Sequence, residues 1–432
     1  MGIIEYSIKL FELNRERKVL MINTGIYYQN KISKYDKCVI ILFAMLPILD
    51  IYCMPSFGVL SIGEIVLLGI IMTTLIKDTR ITIPKEAPFL AFYCFAVITT
   101  VLSLVFYTNY SYAASAIRLF RDLVYILSFT IIFKRHFNIQ FFWNIYKKIV
   151  YILGMVFLFQ FVFYYITGRH ITLYLPFLKL NYAETSPIVL ALQRVNMNRM
   201  ESIFLEPASL VAYFVPVIVM ALFAFEREDY KIAIFSSIIL FLAKSGTAYI
   251  LLMVVWGIYF ILNERFKISV KILFVPLFVI GVSVYVYATA LNEGSVISRV
   301  SEIFTDASYS SGKMRILRGF MIFNQLPVIN KVAGVGVGNI GTFLEQNSIH
   351  IMDTKYLEYM SSFTYILNST GLIGICLYIV PFFKRKRLFS STYQKVLTIS
   401  VFLVLLSSFI YLNLIYVFLM TILFLNGKDD RH

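Results

Sequence analysis

Apolar runs of near-constant length recur from Cys38 almost to the C-terminus, each closed off by a short polar connection: Cys38–Cys53, Phe57–Ile76, Ala87–Tyr107, Ala114–Phe133, Ile149–Thr167, Ile203–Phe225, Ile232–Ala243, Thr247–Leu262, Val270–Leu291, Phe363–Phe383, Val396–Phe409 and Tyr411–Leu425. A bilayer-crossing helix needs about 20 predominantly apolar residues, whereas a barrel strand shows short segments that alternate apolar and polar. The runs are of the first kind, although several, notably the pair flanking Lys244, are short for a span. The pattern predicts an all-α polytopic membrane protein with about 12 transmembrane helices.

The polar connections give this array a direction. With the N-terminus inside, the inner connections hold Lys77, Arg80 and Lys85, then Lys134, Arg135, Lys147 and Lys148, then Arg265, Lys267 and Lys271, then Lys384 to Arg387. The outer connections near Ser56, at Thr108–Ala113 and near Ile410 hold no charge, as the positive-inside rule requires. Both termini are then expected in the cytoplasm. The organisation that follows is a cytoplasmic segment 1–37, spans 1–5 over 38–167, a periplasmic segment 168–202, spans 6–9 over 203–291, a large periplasmic segment 292–362, spans 10–12 over 363–425, and a cytoplasmic tail 426–432. Loops of such length are uncommon in compact folds unless they function, and both mix aromatics, glycines and charges. No internal repeat of the transporter kind is evident.

Composition agrees: 59% of the 432 residues are hydrophobic and 15% charged, far from a soluble chain. The net charge of +15 could point to nucleic acid, but topology accounts for where the Lys and Arg residues sit, and no nucleic-acid partner is expected. Cys38, Cys53, Cys94 and Cys376 lie in apolar runs without metal-ligand spacing, so they read as structural cysteines. The first 37 residues lack a cleavage pattern, and the first span itself can direct insertion.

Mapped onto this topology, most ionisable side chains within the spans gather at the outer leaflet. Asp50, Glu64, Arg118, Arg121, Asp122, Glu206 and Lys244 all fall at or towards outer ends. Such groups pair with one another or line a hydrated cavity, so a cavity open to the outside is expected. Arg118 and Asp122, four apart, can also satisfy each other on one helix face. Glu206-Pro207 begins a span, where proline fits the first turn and a carboxylate meets the positive end of the dipole. A plain helix-start role for Glu206 is therefore open, although Ile203, Phe204 and Leu205 place it inside the apolar boundary. Arg194 and Arg199 end the first outer segment. In the second, Arg315 and Arg318 are three apart and precede "GVGVGN"; guanidinium pairs suit phosphate oxygens, although a solvated loop surface would hold them too. Gly334, Gly336 and Gly338 mimic a dinucleotide fingerprint without its βαβ surround, and read better as a turn that brings backbone close to a ligand or a helix. His170 and His350 are the histidines of the outer segments, each open to a loop role.

Together these residues resemble the bacterial O-antigen polymerase and ligase group, the Wzy-type polysaccharide polymerases and their relatives. "RMESIFLEPASL" resembles that group's Arg…Phe-x-Glu-Pro-Ser stretch before a span, "FLAKSGTAYILL" its Ser-Arg/Lys-Gly junction, "SGKMRILRGF…GVGVGNIGTF" its Ser-Gly-x-x-Arg…Gly-x-Gly segment, and "YILNSTGLIGICLYIV" its re-entry span. The likeness covers Arg194 to Phe383 by motif and the remainder by topology. Ligases place a histidine just before the re-entry span, where this chain has Ser361-Ser362-Phe363, which favours polymerase.

The resemblance implies glycosyl transfer at the periplasmic face of the bacterial inner membrane, from a polyprenyl-diphosphate-linked glycan to a sugar hydroxyl of another lipid-linked repeat unit. It implies membrane lipids as surroundings, and a flippase and a chain-length regulator of the same pathway as partners. Cations at an outer cavity suit that donor, because charge grows on the diphosphate as the glycosidic bond breaks. Arg199, Arg315 and Arg318, with Arg194 and Lys244, are the candidate diphosphate ligands. Glu206 is the first candidate for general base and His350 the second; Arg118, Arg121, Asp122, Gly336 and Gly338 support. Arginines can replace a metal and no Asp-x-Asp cluster occurs in the outer segments, so neither metal nor cofactor is expected. A flippase or transporter would place its charges near the midplane, and a structural or sensor protein would leave the outer cluster unexplained.

Overall fold

The computed structural model describes residues 32–53, 60–77, 89–175, 177–181, 200–225, 227–263, 311–349, 351, 357–384 and 391–424. In chain order these form α1 (Lys34–Leu49), β1 (Tyr52–Cys53), α2 (Ile62–Lys77), α3 (Leu90–Phe106) and α4 (Tyr112–Leu127), which runs through a π turn (Ser128–Ile132) into α5 (Phe133–His136). Then come α6 (Ile139–Thr167), β2 (Lys179–Leu180), α7 (Pro207–Phe223), α8 (Tyr230–Leu242), α9 (Gly246–Leu262), α10 (Ser311–Gln325), α11 (Val328–Ala333), α12 (Ile340–Gln346), α13 (Ser362–Lys384), α14 (Thr392–Ser407) and α15 (Leu414–Phe424). The fold is helical; among the described residues the sheet is one antiparallel pair, β1 on β2. Each apolar run of the sequence falls on a helix except Val270–Leu291, which lies outside the described residues.

The local signals are those of ordinary helices. Ser33, Ser111, Asn138 and Ser391 cap α1, α4, α6 and α14 by accepting from the backbone N–H three residues on. Ser61 and Glu64 form a reciprocal capping box at α2. Gly168 closes α6 with a left-handed φ of 69°.

The core is built around α7 and α15. From Leu210 to Leu222 every α7 residue is buried, against α6, α8, α9, α14 and α15. Tyr213 stacks on Phe418 with ring centroids 5.0 Å apart, and Phe418 on Phe43 at 5.2 Å. The outside is apolar as well. On α6, Ile152, Met155, Phe159, Val162 and Ile166 form an exposed stripe, and on α3 so do Ile98, Val101, Leu102, Val105 and Phe106. Among the described residues two helices, Ile139–Thr167 and Ser362–Phe383, are long and apolar enough by length and composition to cross a membrane, while six other apolar helices have 10–17 residues.

Two differences from the sequence pattern bear on function. The run Ile203–Phe225 does not start as a helix: Ile203 to Glu206 form a turn, and α7 begins at Pro207. The segment 311–349 is not a loop beside the bundle. It folds as α10 to α12 and packs into it, α10 and α11 against α13. The reception point is a break in α13 at Gly371, whose φ of 68° and ψ of −169° lie outside helical space. The break frees the carbonyls of Asn368 and Ser369, which accept from Val335 N at 3.0 Å and Gly336 N at 2.9 Å. The glycine-rich turn thus satisfies backbone groups that an apolar surround would leave unpaired.

Contacts among the helix ends fall into two sets. One joins Tyr35, Asp36, Lys77 and His136, and Lys147 with Asp229. The other joins the connections around Tyr52, Tyr107–Ser111, Leu180, Glu206, 315–349, 357–362 and Ser408–Asn413.

Candidate functional site

Glu206 is the N-cap residue of α7, with Pro207 in the first turn. A capping carboxylate would turn back to the helix amides, but here it makes no such bond. It reaches instead across 109 positions of sequence to Arg315, whose Nη2 lies 2.5 Å from Oε2. Nε of Arg315 donates to the Tyr359 hydroxyl at 2.7 Å. Helix α10 presents Arg315, and Ser361 N donates to the Arg315 main-chain carbonyl at 2.7 Å, so the residue is held by its main chain as well as by its guanidinium. Burial alone would lower the pKa of Arg315; the Glu206 carboxylate and Tyr359 outweigh it and push it above its ordinary value. The pair is accessible in part, with the Glu206 side chain 30% exposed and Arg315 14%.

Beside it stands a second trio. Arg118 of α4 pairs through Nη2 with Glu358 Oε2 at 2.7 Å and donates through Nη1 to the Tyr365 hydroxyl at 2.6 Å. Its side chain is 24% exposed and that of Glu358 27%. Glu358 and Tyr359 are consecutive, so one short segment ahead of α13 touches both guanidiniums.

Arg318 does something else. One helical turn beyond Arg315, it is 1% exposed and donates to three backbone carbonyls: Nε to Ile351 O at 2.9 Å, and Nη1 to Leu357 O at 2.7 Å and Tyr359 O at 3.1 Å. Burial lowers its pKa, though a guanidinium stays charged at neutral pH. The spacing that suggested a two-arginine phosphate clamp instead divides the labour: Arg315 faces the accessible site, and Arg318 holds the segment that completes it. Arg318→Ala removes three charge-assisted bonds from a buried site, and is expected to lower stability by about 2–4 kcal/mol. The check is thermal unfolding of the purified chain, which should fall by several degrees in this variant and hardly at all in Arg315→Lys.

Other expected residues are distributed around these trios. Arg118 and Asp122 do not pair along their helix; Asp122 accepts from Tyr411 at 3.0 Å. Arg121 binds Glu64 at 2.8 Å, and Tyr125 donates to the same carboxylate, so Arg121 and Asp122 fix α4 against α2 and the start of α15. Gly336 and Gly338, at φ of 90° and 93°, press against Ser103 of α3 and Ser115 of α4. Val337 N donates to Thr100 and Asn339 bonds Ser115. That is a backbone-to-helix junction and not a fingerprint. Lys244 sits in the α8–α9 turn at φ 50° and belongs to neither trio. Arg194, Arg199 and His350 lie outside the described residues. Ser361 and Ser362, at the start of α13, are fully buried; the Ser362 hydroxyl donates to Ser408 O and accepts from Ile410 and Tyr411 N–H.

Glu358, Tyr359 and Tyr365 were not singled out by sequence. The available signal was "YLEYMSS" abutting the apolar run of α13, an acidic residue between tyrosines at an apolar boundary. Among the described residues no three His, Cys, Asp or Glu side chains converge as metal ligands would. No protein-family model matches this chain, and no curated protein matches it.

Proposed function

We propose that the chain is a polytopic membrane glycosyltransferase that polymerises polyprenyl-diphosphate-linked oligosaccharide repeat units, in an O-antigen or capsule pathway of the bacterial inner membrane. The observation that carries the reading is the Glu206–Arg315–Tyr359 trio: a carboxylate and a guanidinium, accessible in part, at the end of the bundle assigned to the outside. A donor diphosphate would take the Arg315 guanidinium from Glu206. The acceptor hydroxyl oxygen then attacks the anomeric carbon of the donor sugar, and the bond from that carbon to phosphate oxygen breaks. The electron pair leaves on the polyprenyl diphosphate, where Arg315 stabilises it more than in the ground state. The hydroxyl proton passes to the freed Glu206 carboxylate.

The membrane setting is supported by the lipid-like exterior. In α6, a 29-residue apolar helix, most of the apolar surface is not covered by the rest of the protein; in water it would be a costly patch. The α13 break would also suit a transporter, but its freed carbonyls are taken by protein N–H groups and not left to coordinate an ion.

Two measurements test the reading. Purified chain in lipid vesicles with a polyprenyl-diphosphate-linked repeat unit is expected to yield a polymer ladder and release polyprenyl diphosphate. A chain that moves the glycolipid across the bilayer without lengthening it is a transporter. For sidedness, a reporter active only outside the cytoplasm is expected to work when fused after Asp306 and to be silent after Lys386; the opposite pattern removes the outer-cavity argument.

A further inference from the structure

Arg118 of α4 and Arg315 of α10 are held in the same way. Each guanidinium meets one carboxylate and one tyrosine hydroxyl, Arg315 with Glu206 and Tyr359, Arg118 with Glu358 and Tyr365. Each side chain is exposed in part, and the two are linked by the adjacency of Glu358 and Tyr359. Both ion pairs are largely buried, with side chains 14–30% exposed; desolvation offsets most of the attraction in such pairs, so holding the bundle together is a poor account of both.

The Glu358 carboxylate rests in a cradle of donors. Oε2 takes Arg118 Nη2 at 2.7 Å, and Oε1 takes the backbone N–H of Gly341 at 3.3 Å. Tyr365, bonded to Nη1 of the same guanidinium and packed under it with ring centroid 5.6 Å away, adds an O–H that can turn to the same place. Two oxygens of one acidic group, met by a guanidinium edge and an amide, form the pattern by which proteins hold phosphate.

We propose that Arg118, Tyr365 and the Gly341 amide form a second phosphate-binding site, that Glu358 is its internal occupant, and that the ligand displacing it is the diphosphate of the second lipid-linked substrate. A polymerisation step joins two lipid-linked molecules, so its enzyme must seat two diphosphates of which only one departs. On this assignment Arg315 serves the donor and Arg118 the acceptor, and Glu358-Tyr359 lies between them. A diphosphate brings more negative charge than the single carboxylate it replaces, so exchange at Arg118 favours the ligand once a headgroup arrives. The inference rests on the reading of Arg315 as the donor site.

The test is calorimetric binding to the full chain in nanodiscs of zwitterionic lipid, with inorganic diphosphate and farnesyl diphosphate as probes. The wild type is expected to bind two farnesyl diphosphates per chain, Arg118→Gln one, and Arg315→Gln one. Glu358→Gln keeps the size of the occupant and removes its charge, so the Arg118 site should tighten by about tenfold, the size of one charged interaction. Equal stoichiometry with inorganic diphosphate means that phosphate chemistry alone suffices; binding of the farnesyl probe alone makes the ligand lipid-borne. Arg118→Lys, which keeps a cation, covers the case in which the glutamine variant does not fold, and should bind the second diphosphate weakly. One site per chain, lost in Arg315→Gln and unchanged in Arg118→Gln and Glu358→Gln, overturns this inference and leaves the donor reading standing. Binding that survives Arg315→Gln but not Arg118→Gln overturns the donor reading, and no binding of either probe overturns both.

Discussion

Glu206→Gln is expected to lower polymer formation by about 10²–10⁴-fold, the range for loss of a positioned general base, with lipid-linked single repeat units accumulating. The substitution keeps the volume and leaves Pro207 to start α7, because the carboxylate makes no cap bond that could be lost. If Glu206 merely began a helix, glutamine would cost only the dipole interaction, about 0.3–1 kcal/mol. Arg315→Ala should cost about 10²–10³-fold, as expected for a lost charge-stabilising donor. The two side chains touch, so they act as a unit and the double variant should be little worse than the worse single one. The measurement is turnover of purified variants on a lipid-linked repeat unit, beside a thermal melt to show that each is folded. Wild-type polymer lengths from Glu206→Gln would end its candidacy as base and move His350 to first place.

The second large effect concerns folding. Gly371→Ala is expected to destabilise the chain by about 2–5 kcal/mol, a large part of a typical folding free energy. At φ 68° and ψ −169° the backbone occupies a region that only glycine enters readily. An added Cβ would also run into the carbonyl of Val332 and the N–H of Gly334, backbone atoms that cannot swing aside. The α11 segment would have to withdraw from α13, taking with it the two N–H bonds that close the helix break. Membrane-inserted protein should fall sharply and any purified fraction should melt earlier. Normal accumulation with an unchanged melt would show that α13 can close over the break as a continuous helix.

The positions of the helices were legible because apolar runs and cap residues act locally. Glu206-Pro207 announced the start of α7 for the same reason: proline lacks the N–H that a first turn does not need. The spacing argument failed where reach and orientation had to be chosen between partners. Arg118 and Asp122 satisfy the i,i+4 rule on paper, yet each takes a tertiary partner, Glu358 and Tyr411. A helical pair would have left the buried Tyr411 hydroxyl without its carboxylate partner, which costs more than a surface-type helix pair returns. Likewise Arg315 and Arg318 lie one turn apart, but side chains three apart on α10 meet different neighbours once α10 is laid on α13.

The sequence by itself determined that the chain is a set of apolar helices, where most of them begin and end, and which ionisable residues stand at the ends of the apolar runs. Those properties follow from hydrophobicity, helical period and backbone sterics, all settled within a few residues. Only the tertiary structure decided that 311–349 meets the bundle at a glycine break in α13, that Arg318 holds backbone while Arg315 faces Glu206, and that Glu358 and Tyr359 join two guanidiniums. Those depend on which distant segments come within hydrogen-bond reach, and there the cost of leaving a buried polar group unpaired selects the partner. No local pattern encodes that selection.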